Sequence, residues 1–185
     1  MFNNWHIKEK PVFTGVTRGM GGFGYGAAGG GPSSSPIAAS GGTTNTYSDG
    51  GQGYKAHKFT SSGSFVVTDI GTGPEAGKVE YLVIAGGGGG GCQHGGGGGA
   101  GGYRSSVVGA DSGGGGSAET VLTVSNGSYT ITVGAGGAGD GPHPSFTGGN
   151  APAGSNSSIT DPGPVSIISV GGGGGSSMDL SLIHI

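Results

Sequence analysis

Few side chains in this chain are of types that do chemistry, and their spacing brings few of them together. Asp49, Asp69, Glu75, Glu80, Asp111, Glu119, Asp140, Asp161 and Asp179 stand singly, with no pair at a spacing suited to acid–base work. Serines abound but lack the strand–Gly-x-Ser-x-Gly–helix context of a nucleophile elbow. Cys92-Gln93-His94 supplies two metal-ligand types where a metal site needs three or four. Gly24-Tyr25-Gly26-Ala27-Ala28-Gly29 has the dinucleotide-binding spacing, but no buried strand precedes it and no helix follows. Gly71–Lys78 only loosely resembles a phosphate loop, because Val79 stands where Ser or Thr would hold magnesium. The residues therefore point to a chain without catalysis, cofactor or metal. Gln93, His94, His143 and Phe146 interrupt the glycine stretches and are the recognition candidates, since recognition side chains concentrate on loops held by a rigid frame.

The frame is set by composition. Of 185 residues 51 are Gly, 31% are hydrophobic and 9% are charged. Glycine does not recur at every third position, so a collagen helix is excluded. A net charge of -3 with scattered cations gives no footprint for nucleic acid. One cysteine permits no intramolecular disulfide. No stretch has the length and apolarity of a signal peptide or membrane span, so neither export nor membrane insertion is expected from these residues.

Runs of glycine at 86–91, 95–99, 113–116 and 171–175 need a physical account. Each ordered glycine costs roughly 0.5–1 kcal/mol more than alanine in a regular element. A run is therefore flexible linker or is held by something specific. Polyproline-II helices of glycine have threefold symmetry and outward-facing N–H and C=O groups. Side by side, such helices can bond one another in a honeycomb. The runs recur after apolar strands, which favours order.

Val79–Ala85 is apolar on both faces towards its end and reads as an interior strand in the middle of the core. Residues 54–70 read as a hairpin around Ser61-Ser62-Gly63, pairing Phe59 with Phe65 and His57 with Val67. Asn126-Gly127 predicts a two-residue hairpin over Thr120–Val133, with Val124 opposite Tyr129 and Leu122 opposite Ile131. Val165–Val170 reads as a closing strand with Val165, Ile167 and Val170 inward. No segment keeps helical periodicity over ten residues, so the class is all-β. The organisation is a glycine- and serine-rich, irregular lead-in over 1–52, a glycine-rich β domain over 53–179, and a terminal piece over 180–185.

Two resemblances add to this. His57–Phe65, Val79–Gly86, Gly101–Ser105 and Gly127–Gly134, in that order and spacing, resemble the glycine-rich domain of tail-fibre and receptor-binding proteins of tailed bacteriophages. The likeness covers roughly residues 54–175, and the Trp5–Gly30 lead-in is similar to one seen in such proteins. It implies a jelly-roll-like β-sandwich with inserted glycine loops and a place in the virion. It also implies binding to a host cell-surface glycan or protein, contact with other fibre subunits, and a homotrimer or attachment to a larger fibre. The competing expectation is a glycine-rich structural scaffold or spacer. A similar alternation of strand and glycine occurs in the extracellular glycine-rich region of the anaplastic lymphoma kinase receptor, which is secreted and cysteine-containing. Separately, Leu180-Ser181-Leu182-Ile183-His184-Ile185 resembles the translation of a sequencing-library adapter, which implies that the native sequence diverges at or just before Leu180.

Overall fold

A computed structural model of the chain describes residues 34–49, 52–92, 95–107, 109–140 and 150–177. Strands are β1 (Ala38–Ser40), β2 (Thr43–Asp49), β3 (Gln52–Lys58), β4 (Gly63–Asp69), β5 (Lys78–Val79), β6 (Leu82–Ile84), β7 (Tyr103–Ser105), β8 (Leu122–Thr123), β9 (Gly127–Thr132), β10 (Ser157–Thr160) and β11 (Ser166–Ser169). Among the described residues the only helical piece is a single 3-10 turn, Gly113–Gly115. The fold is all-β.

Five strands form one antiparallel sheet in the order β1-β4-β9-β10-β11. Its inner face follows from alternation. Tyr129 and Ile131 of β9 are buried while Ser128, Thr130 and Thr132 are exposed. Ile131, Ile159 and Ile167 stand in register across β9, β10 and β11, so one row of branched side chains faces the same way. The short pairs β5–β8 and β6–β7 lie over this face. Val67, Val124 and Tyr129 form one buried cluster, flanked by Phe65, Val79 and Leu122. Tyr81, Val83 and Ile167 form a second.

Several pairings differ from those expected. Thr120–Val133 is not a hairpin. Both edges of β9 are taken, by β4 and β10, so β8 pairs with β5 in the other layer. Gly127 is the first residue of β9 at φ 157°, not a corner of a two-residue turn. The loop before β9 is held by Tyr129, whose hydroxyl accepts the Ser125 N–H at 2.8 Å and lies 3.1 Å from the Ser125 carbonyl. Tyr129 faces Phe65, not Val124.

The hairpin expected over 54–70 is also replaced. β3 pairs with β2, and β4 with β1 and β9, so the two halves of 38–69 run antiparallel, with Asp49 opposite Gln52. Strands β1 and β2 fall in the stretch read as irregular lead-in; in β2, Thr43, Thr44, Thr46 and Tyr47 supplied strand propensity that the Gly and Ser content of the stretch masked. His57 is a packed ring, edge-on to Phe65 at 5.1 Å.

β6 is not an interior strand. Val83 is buried, but Leu82 and Ile84 are 51% and 56% exposed. The strand covers β10 and β11 with one face, and among the described residues no layer lies outside it. In β11 Ile167 points inward as expected, Val165 is half-buried at its threshold, and Val170 is exposed.

Candidate functional site

Five glycine-rich segments leave or enter the sandwich at one end. Segment I (86–92) follows β6 and segment II (95–102) precedes β7. Segment III (134–140) follows β9, segment IV (150–155) precedes β10, and segment V (171–177) follows β11. Segment I is the hub. Gly86 and Gly89 donate to Ser155 and Pro152 of segment IV. The carbonyls of these same two glycines accept Gly172 and Gly175 of segment V. Gly88 and Gly91 donate to Gly99 and Gly96 of segment II, and the carbonyls of Gly87 and Gly90 accept Gly137 and Asp140 of segment III.

Each row repeats every third residue. That period belongs to threefold helices of the polyproline-II type, not to sheet ladders or α-helices. The outer segments obey it too: Gly96, Gly99 and Gly102 donate to Ser176, Gly173 and Val170, while Ala151 and Gly154 donate to Gly175 and Gly172. The order of partners makes I, III and V parallel, with II and IV running against them. The glycine runs 86–91, 95–99 and 171–175 thus lie against one another, whereas 113–116 lies outside the bundle and holds the 3-10 turn Gly113–Gly115. Within these segments only Gly101 has a positive φ, so glycine is required for close approach and not for backbone conformation.

Both ends of the bundle are tied by side chains. At the sandwich, Glu119 accepts Arg104 Nε at 2.8 Å, the Tyr81 hydroxyl at 2.8 Å and Ser112 Oγ at 3.0 Å. Arg104 also reaches the Ile168 carbonyl, which joins β7 to β11. The hydrogen bond from Arg104 holds the Glu119 carboxyl down at about 2, against a usual 4.5. Burial, then the Glu119 carboxylate, push the Tyr81 phenol up.

At the far end, the three parallel segments finish in Cys92, Asp140 and Ser177. Ser177 Oγ donates to Asp140 Oδ2 at 2.7 Å and Cys92 Sγ donates to the same oxygen at 3.1 Å. The hydrogen bond to Asp140 and burial push the Cys92 thiol up, which disfavours the nucleophilic thiolate. The cluster ties three segment ends to one carboxylate. Among the described residues no three His, Cys, Asp or Glu side chains are grouped to hold a metal ion.

The four candidate receptor contacts, Gln93, His94, His143 and Phe146, lie outside the described residues, as do the lead-in to residue 33 and residues 178–185. Their flanks are placed. The Gly95 amide donates to the Cys92 carbonyl at 2.9 Å, and Asn150 bridges to Ser176 beyond the stretch that begins after Asp140. The tie between Cys92 and Asp140 was not legible in the sequence, because 48 positions separate them.

A family model described as a glycine-rich domain matches residues 60–182. The chain belongs to that family. The matched stretch of this glycine-rich domain contains all five segments of the bundle, the clamp at its base and every strand from β4 onward. No match was found among curated proteins or among solved structures.

Proposed function

We propose that this glycine-rich domain is a tail-fibre component of a tailed bacteriophage, that it resides in the virion, and that it binds a host surface receptor without chemistry. The observation that carries the reading is the period-three bonding of the glycine segments. Disordered glycine would serve a spacer. A bundle in which Gly86 and Gly89 use both their amides and carbonyls is a stiff stalk. Such a stalk holds Cys92 and Asp140, the residues next to the candidate contacts, on a common frame, and a pre-organised support lowers the ordering cost of recognition. The turning points beyond Cys92 and Asp140 are where side chains return, and Gln93, His94, His143 and Phe146 are the contacts proposed there. The partners are a host surface glycan or protein and other fibre subunits, with the chain in a homotrimer or attached to a larger fibre.

The second reading, a virion scaffold without receptor binding, is favoured by the scarcity of side chains along the bundle itself. Adsorption separates the two. Phage carrying Gln93→Ala, His94→Ala, His143→Ala and Phe146→Ala together in an otherwise folded fibre is expected to adsorb poorly to host cells. Unchanged adsorption assigns the chain to the scaffold class.

A further inference from the structure

The arm β2–β3 lies outside both layers of the sandwich. Its seven residue pairs run from Thr43–Lys58 to Asp49–Gln52, and every β2 residue is exposed. The two faces differ. One carries His57 and Lys55, which turn back on the sandwich: His57 meets Phe65 and bonds the Gly41 carbonyl at 2.8 Å, and Lys55 reaches the Ala39 carbonyl. The other carries Thr43, Asn45, Tyr47 and Asp49 opposite Lys58, Ala56 and Tyr54. At its centre Tyr47 and Tyr54 stack at 5.3 Å with planes 12° apart, yet remain 50% and 39% exposed.

At the foot of this face the pair Thr43–Lys58 borders an open hollow of about 180 Å³. Phe59 and the hydroxyl residues Thr60, Ser61, Ser62 and Ser64 also line it, with Gly42 and Gly63. The track from hollow to arm tip is thus a half-buried aromatic among hydroxyls, then an amide, then an exposed aromatic pair, then a carboxylate.

We propose that this track binds a neutral oligosaccharide; the inference rests on the receptor-binding reading and adds a contact on the arm to those at the bundle tip. Flat rings with free faces take the C–H face of a sugar, while hydroxyl, amide and carboxylate groups match sugar hydroxyls as both donors and acceptors. Among the described residues Lys58 is the one cation on the face, too little for a nucleic acid. Two tyrosines flanked by small polar groups offer no apolar centre of the kind a protein interface needs. Asp49 at the tip disfavours an acidic sugar.

The test uses the full chain on an array of neutral and acidic bacterial surface-polysaccharide fragments, followed by titration with whichever fragment binds. The expected result is binding to a neutral fragment, with the ring protons of Tyr47 and Tyr54 shifting on titration. Affinity should fall about tenfold in Tyr47→Ala or Tyr54→Ala and stay within about threefold in the Tyr→Phe variants, which keep the ring. No binding to any neutral fragment overturns the proposal, as does binding that leaves both rings unshifted; the ring shifts decide even where an alanine variant loses the arm. Blocking of phage adsorption by the free chain reads the receptor function separately. Blocking without glycan binding sinks this inference alone, whereas glycan binding without blocking sinks the fibre reading and leaves the site.

Discussion

Gly89 and Ala138 lie so close that a Cβ on Gly89 would fall deep inside van der Waals contact with the Ala138 carbonyl. Neighbouring Gly90 is the opposite case, with nothing within 4 Å of the same added atom. Gly89→Ala should therefore destabilise by about 1–3 kcal/mol or more through overpacking against backbone that cannot yield. Gly90→Ala should stay within about 0.5 kcal/mol of the parent. Urea unfolding of the two variants checks the contrast, and equal effects would refute the packing of the bundle.

Amide exchange should follow the threefold period. Gly86, Gly88, Gly89 and Gly91 donate to neighbouring segments and should be protected. The amides of Gly87 and Gly90, which donate to nothing among the described residues, should exchange fast. Residue-resolved NMR exchange checks this. Uniformly fast exchange over 86–102 would show that the runs are disordered.

Acid should loosen the clamp at the base of the bundle. Glu119 titrates at about 2 in the folded chain against 4.5 unperturbed, so the folded state binds fewer protons than the unfolded state between these values. Its stabilisation is complete above about pH 4.5 and is lost as pH falls towards 2. Thermal midpoints measured across that window should drop, and Glu119→Gln should flatten the drop attributable to this group.

Cys92 should be a slow nucleophile. Its thiol is raised first by the hydrogen bond to Asp140 and then by burial. Asp140→Asn replaces the carboxylate with a group that can donate to a thiolate, so alkylation by iodoacetamide at pH 8 should become several-fold faster. An unchanged rate in a folded variant would mean that Asp140 does not hold the thiol.

The amino-acid sequence by itself determined the class and the faces. Alternation placed Tyr129 and Ile131 inward on β9 and Ile167 inward on β11, because burial with period two is written residue by residue. Recurrence of glycine after strands marked where the bundle begins. Tertiary structure alone decided the pairings. Asn126-Gly127 carries the local chemistry of a tight hairpin, but β9 gains more by pairing on both edges with β4 and β10, which lie far away in the chain. Nor could the neighbours of segment I be read in advance. Glycine has no side chain with which to specify a partner, and every run offers the same amides and carbonyls. Which run meets which is set by the strands they join, since β6, β9 and β11 fix where segments I, III and V start, β7 and β10 fix where II and IV end, and the threefold bonding continues that order outward.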